Sequence, residues 1–117
     1  MGRLTTHVLD TGHGKPAIGM RVALFRRDGE HHVLVRETRT NADGRCDSAL
    51  LEGHALTAGR WRLAFGVGAY FAEQGALLPD PPFLDEVVLD FGIADANAHY
   101  HVPLLVSPWS YSTYRGS

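Results

Sequence analysis

The sequence predicts an all-β fold: a β-sandwich or barrel of seven or eight short strands with at most one short helix. Three observations lead to this prediction. Short segments alternate apolar and polar residues, as strands with one buried face do. Turn signals rich in Gly, Asn, Asp and Pro separate these segments. The stretches between them are too short for the crossover helices that a parallel α/β sheet needs.

In the first half of the chain, alternation and β-branched residues indicate three strands. Thr5, Thr6 and Val8 favour the first strand, and a Gly- and Pro-containing loop follows at 11–16. Asp28-Gly29 is a strong hairpin signal between the second and third strands. A turn follows at 41–44, directly before Arg45. The predicted strands span 4–10, 20–27 and 32–39.

In the second half, alternation predicts strands at 61–67, 87–91 and 99–106, with a last strand starting at Tyr111. The stretch 68–75 has few β-branched residues and is predicted to be a short helix. Three prolines make 77–83 a loop. Tyr100, Val102 and Leu104 share one face of the strand 99–106, which we interpret as a core face. Pro103 lacks an N–H, so this strand is predicted to be an edge strand or irregular.

Length, charge and cysteine content limit the function classes. The 117 residues fit a single domain, and the net charge of -2 without a Lys/Arg block disfavours nucleic acid or an anionic membrane as partner. The N-terminus lacks the apolar run of a secretory signal, and no stretch is long enough to span a membrane. The lone Cys46 fits a reducing compartment. These features predict a cytoplasmic protein.

Seven histidines are many for this length, and neutral imidazole is the usual proton acceptor near pH 7. His99 and His101 point to the same face of their strand, where they could act as a base with a neighbour or as two zinc ligands. His7 lies within a strand, and by itself it is more often a structural histidine than a base. We interpret the other four, in turns or at strand ends, as surface residues: His13, His31, His32 and His54.

Arg45 and the C-terminal serines are further candidate site residues. An arginine after a turn is usually solvated, but its guanidinium could hold a planar carbonyl-rich or anionic ligand. None of Ser107, Ser110, Ser112 and Ser117 lies in a G-x-S-x-G elbow, which disfavours a Ser–His–Asp hydrolase.

Three groups of residues together resemble the transthyretin-related protein family. They are His7–Asp10 followed by Gly14–Ala17, then Thr40–Arg45, and then His99–Leu105 with the terminal Tyr114–Ser117. The resemblance covers essentially the whole chain, with the motifs in the family's order. It implies a transthyretin-like β-sandwich of two four-stranded sheets with one short helix. It also implies a homotetramer, a dimer of dimers, with sites in the channel between the dimers.

The terminal Tyr-Arg-Gly-Ser separates the hydrolases of this family from its hormone carriers. The resemblance therefore implies hydrolytic opening of the cyclic amide of 5-hydroxyisourate, an oxidised purine of urate degradation. It assigns catalysis to His7, Arg45 and His101, and substrate binding to Tyr114, Arg115, Gly116 and Ser117. It implies no metal or organic cofactor. Which histidine is the base stays open.

Two other functions remain as alternatives. A non-catalytic carrier of a small aromatic ligand would use the same fold and channel, but it has no need for a base and a cation in one pocket. A metallohydrolase would use His7, His99 and His101 as ligands and would lose activity on chelation.

Overall fold

The protein is a sandwich of two β-sheets with one α-helix. A computed structural model describes residues 1–116. The only α-helix among these residues, α1, spans Val67–Glu73, and a single 3₁₀ turn spans Gly53–Ala55. The strands are β1 (Arg3–Asp10), β2 (Lys15–Pro16), β3 (Arg21–Asp28), β4 (His31–Arg39), β5 (Leu51–Glu52), β6 (Gly59–Phe65), β7 (Val87–Ile93), β8 (His99–Val106) and β9 (Tyr111–Thr113).

The prediction of an all-β sandwich of two sheets is confirmed, with one difference in strand number. One sheet has the order β2-β1-β8-β9 with β5 also paired to β1, and the other has the order β4-β3-β6-β7. The sheets therefore have five and four strands rather than four each. The unpredicted strands β2 and β5 are two residues long, too short to produce an alternating pattern.

The core lies between the two sheets, where the alternating apolar residues meet. On β1, Leu4, Thr6, Val8 and Asp10 are buried while the residues between them are not. The core face predicted for β8 is confirmed. Across the core, β3 and β6 contribute Val22, Leu24, Trp61, Leu63 and Phe65. Each fully buried side chain of this kind stabilises the fold by roughly 1.5–3 kcal/mol.

The helix α1 confirms the short helix predicted at 68–75. It buries Tyr70 and Phe71 against the core. The helix begins almost immediately after the end of β6. Within residues 1–116, no helix has the length and apolar character needed to cross a membrane.

The prediction for the strand carrying Pro103 was wrong in part. β8 is an interior strand, paired in parallel with β1 over its whole length and antiparallel with β9. The carbonyl and the nitrogen of Pro103 point to the same side of the strand, toward β9. Pro103 is tolerated because the regular β8–β9 pairing stops at Leu104–Thr113, so no N–H is needed there. There the Pro103 carbonyl accepts a hydrogen bond of 2.7 Å from Thr113 Oγ1 instead of a ladder bond.

Candidate active site

The parallel ladder of β1 and β8 places the polar face of one strand beside that of the other. Its register pairs Arg3 with His99, Thr5 with His101 and His7 with Pro103. Successive side chains alternate faces, so these six point away from the core. Four of them, Arg3, Thr5, His99 and His101, form one wall of a cleft of about 440 Å³, whose other wall is the segment 45–49.

The turn before Arg45 lies against β1 because of Asn41 and Gly44. The Asn41 side-chain oxygen accepts hydrogen bonds from the Asp43 and Arg45 amides at 2.9 and 3.2 Å. Gly44 has φ +76°, and a Cβ there would collide with the Val8 carbonyl. The Gly44 carbonyl accepts a 2.7 Å hydrogen bond from the Val8 amide. The turn therefore brings Arg45 into an antiparallel bridge with His7.

His7 is held in one orientation by the same turn. Its Nε2 lies 2.8 Å from the Asp43 carbonyl oxygen. A carbonyl can only accept, so Nε2 carries a proton and donates it. In the neutral ring, Nδ1 then has the lone pair and can accept a proton.

His101 is half-buried, and Arg45, His7 and His99 lie near it. Its Nδ1 lies 2.8 Å from Thr5 Oγ1, which is also 3.2 Å from His99 Nε2. Burial lowers the pKa of His101, and the charges of Arg45, His7 and His99 lower it further. His101 is therefore neutral at pH 7, as a proton acceptor must be.

The C-terminal segment reaches this histidine through its glycine. The Gly116 amide donates a 2.7 Å hydrogen bond to the His101 carbonyl. A Cβ on Gly116 would lie 2.9 Å from His101 Cδ2, so only glycine lets the chain pass this close to the ring.

Tyr114 and Arg115 lie on the other side of the terminal segment. They line a separate groove of about 330 Å³ with residues of β7 and with Tyr100. The Arg115 guanidinium stacks 4.1 Å from the centre of the Tyr100 ring. Within one chain, the structure thus brings His7, Arg45, His101 and Gly116 together but not Tyr114 and Arg115. Ser117 lies outside the described residues.

Sequence reasoning missed Thr5 as a site residue, and it gave His99 no part in the hydrolase site. Thr5 is two residues before His7, so alternation already places both on one face. Its contact with His101 depends on the β1–β8 register, which alternation does not encode. Cys46 also borders the cleft, where burial raises the pKa of its thiol and keeps it protonated.

The metal alternative requires three donor side chains close together. In the part of the chain that the structure describes, no three His, Cys, Asp or Glu side chains are grouped closely enough to hold a metal ion.

A β-sandwich with a histidine–arginine cleft on one outer sheet face defines the class of protein. The chain belongs to the HIUase/Transthyretin family, whose profile matches residues 4–116. It is 60% identical over 117 residues, the full length of both chains, to a Ralstonia nicotianae protein named 5-hydroxyisourate hydrolase.

Two solved structures are also similar to this chain. The Klebsiella pneumoniae 5-hydroxyisourate hydrolase superposes with a TM-score of 0.81 at 38% identity, with complete coverage of both chains. A structure described as (S)-allantoin synthase superposes with a TM-score of 0.94 at 51% identity over 99% of this chain. This chain spans 44% of that longer one.

Proposed function

We propose that this protein is a 5-hydroxyisourate hydrolase that opens the cyclic amide to 2-oxo-4-hydroxy-4-carboxy-5-ureidoimidazoline. The observation that carries the proposal is the placement of His101 and Arg45 in one cleft, with His7 directly beside Arg45. His7 bridges to Arg45, and their charges act on His101. Full-length similarity to proteins of that name supports the same reaction.

The proposed mechanism begins with removal of a proton from water by neutral His7 or His101. The water oxygen forms a bond to the ring carbonyl carbon, and negative charge develops on the carbonyl oxygen. Arg45 stabilises that charge through its guanidinium N–H groups. The C–N bond of the ring then breaks, and the histidine returns the proton to the leaving nitrogen. Collapse leaves a ureido group and a carboxylic acid, which releases its proton to solvent to become the carboxylate, with no cofactor in the reaction.

The remaining predicted residues extend the proposed site. We assign Gly116 to shaping the pocket at His101, and Ser117 to positioning substrate or water through its hydroxyl or terminal carboxylate. Tyr114 and Arg115 face a different groove of the same chain. Their proposed contribution to substrate binding therefore depends on the proposed homotetramer, in which neighbouring chains complete each site. We further propose that residues 1–117 act as one domain and that the protein works in the cytoplasm.

The test is an absorbance time course of 5-hydroxyisourate generated from urate by urate oxidase. Added protein should accelerate decay of the intermediate. His7→Ala, Arg45→Ala and His101→Ala should each lower turnover by at least about 100-fold, the usual worth of a general base or an oxyanion-stabilising donor. His31→Ala is the matched control, because His31 is an exposed histidine on the opposite sheet.

Decay at the protein-free rate would exclude the hydrolase function and favour the carrier of a small aromatic ligand. Near-normal turnover in all three variants would instead exclude this site. Unchanged turnover after chelation, with metal analysis of untagged protein, separates the proposal from the metallohydrolase alternative.

A further inference from the structure

One hydroxyl group lies between the two histidines of β8. Thr5 Oγ1 is 2.8 Å from His101 Nδ1 and 3.2 Å from His99 Nε2. The contact follows from the ladder, which sets Thr5 directly beside His101 on the same outer face. Because threonine is β-branched, its χ1 has few allowed values in a strand and the hydroxyl position is well defined.

The chemistry of a hydroxyl restricts how it can serve two imidazoles. A hydroxyl has one proton to donate, so it can donate to one ring and must accept from the other. Two arrangements are therefore possible. Either His101 Nδ1–H donates to Thr5 and the hydroxyl donates to His99, or His99 donates to Thr5 and the hydroxyl donates to His101.

These arrangements leave His101 with opposite properties at its second nitrogen. With Nδ1 protonated, Nε2 has the lone pair and can take a proton from the cleft. With Nδ1 accepting from Thr5, Nε2 is already protonated. The one lone pair of the ring is then on Nδ1, where it accepts the hydrogen bond from the hydroxyl. In the first arrangement, proton uptake at Nε2 leaves the hydrogen bond from Nδ1–H to Thr5 intact. Only that arrangement lets His101 act as a base without breaking its existing contact.

We propose that Thr5 is a positioning residue that holds His101 in the Nδ1-protonated tautomer and donates its own hydrogen bond to His99. His99 suits the accepting role because its ring is exposed, so water can serve its other nitrogen. The effect on turnover rests on the proposed hydrolase function. The effect on the tautomer of His101 does not.

The direct test is ¹H–¹⁵N correlation spectroscopy of histidine-labelled protein at a pH where His101 is neutral. In the wild type, the His101 Nε2 shift should be that of an unprotonated ring nitrogen. Thr5→Val keeps the branched shape and removes the hydroxyl, so its Nε2 shift should move toward the protonated value. Thr5→Ser should restore the wild-type shift. Thr38→Val, at a half-buried strand threonine of the opposite sheet, should change nothing.

The kinetic test uses the same variants. Thr5→Val should lower kcat about fivefold with KM nearly unchanged, since one neutral hydrogen bond shifts a tautomer equilibrium by about that factor. Thr5→Ser should recover most of the loss. A wild-type Nε2 shift of the protonated kind would overturn the proposal, as would a Thr5→Val variant with an unchanged shift. Full turnover of His101→Ala alongside the expected shifts would overturn the hydrolase site while the tautomer assignment stands.

Discussion

At the residue scale, burial and positive charge act on His101 in the same direction. Both favour its neutral form. The groups that face it are Arg45, which follows the turn at 41–44, His7 from β1 and His99 from its own strand. The pKa of His101 therefore lies below the ordinary value of about 6.5. Activity that needs a neutral His101 should persist to lower pH than an ordinary histidine allows.

We accordingly expect the acidic limb of the pH profile of kcat/KM to fall below about 6.5, since that parameter reports the free enzyme. Titration of the His101 ring by NMR should also give a midpoint below about 6.5. An acidic limb and a ring midpoint both at or above 6.5 would contradict the effect of the cleft on this histidine.

Gly116 makes a second prediction at the residue scale. An added methyl group would lie 2.9 Å from His101 Cδ2 and 3.3 Å from its Cβ, so the ring or the chain end must move. Gly116→Ala should lower kcat/KM by at least about tenfold, because small misplacements of catalytic groups are costly. The melting temperature should change little, since the change lies at the chain end.

Gly92→Ala is the control for this experiment. Gly92 has ordinary backbone geometry, and the nearest atom to an added Cβ is 4.0 Å away. Equal kcat/KM for Gly116→Ala and the wild type would show that the terminal segment does not fix the ring.

At the element scale, a buried carboxylate joins α1 to the first sheet. Asp10 at the end of β1 is 1% exposed and accepts hydrogen bonds from Tyr70 OH at 2.8 Å and from the His13 ring and amide at 2.7 and 2.9 Å. Burial alone would raise the pKa of Asp10, but the hydrogen bonds and the His13 charge outweigh it and lower the pKa. Burial and the same carboxylate raise the pKa of Tyr70, which stays protonated.

Tyr70→Phe should therefore destabilise the fold at pH 7 by roughly 1.5–3 kcal/mol, the worth of a hydrogen bond to a charged group. The lowered pKa of Asp10 contributes stability that is present above the unfolded value of 3.8 and is lost as pH falls through the folded pKa. Urea unfolding at pH 7 and at about pH 3 should show the Tyr70→Phe deficit shrinking in acid. Tyr111→Phe, at an exposed tyrosine, is the control. A deficit independent of pH would contradict the carboxylate link.

Most strands could be predicted from the sequence because their alternation follows directly from burial of one face. Partner choice could not, since the same alternation fits parallel or antiparallel pairing and any even shift of register. This explains why the β1–β8 pairing was not predicted, and why Pro103 was expected at an edge. For the site, the outward faces of His7 and His101 could be predicted. The contact of Thr5 with His101 depends on register, and sequence alone does not provide it.

At the scale of the whole molecule, several large apolar side chains are exposed near the end of the chain. Trp109 is 67% exposed, and Tyr111 and Tyr114 are 44% and 61% exposed. Trp109 lies in the turn between β8 and β9, next to the sheet that carries the cleft. The proposed homotetramer gives these side chains a function, because aromatic residues are typical of the buried centres of protein interfaces.

We therefore expect sedimentation velocity to give a species of four chains at micromolar concentration. Trp109→Ser should raise the protein concentration at which the assembly dissociates by about tenfold or more. The reason is that truncating a central aromatic anchor costs over about 1.4 kcal/mol. Phe83→Ser is the matched control, since Phe83 is 75% exposed on a loop of the chain remote in sequence from this turn.

If neighbouring chains complete each site, specific activity should fall in parallel with dissociation. A single-chain species with full specific activity would exclude the tetramer and would require each cleft to be complete by itself. A Trp109→Ser assembly as stable as the wild type would place the interface away from this turn.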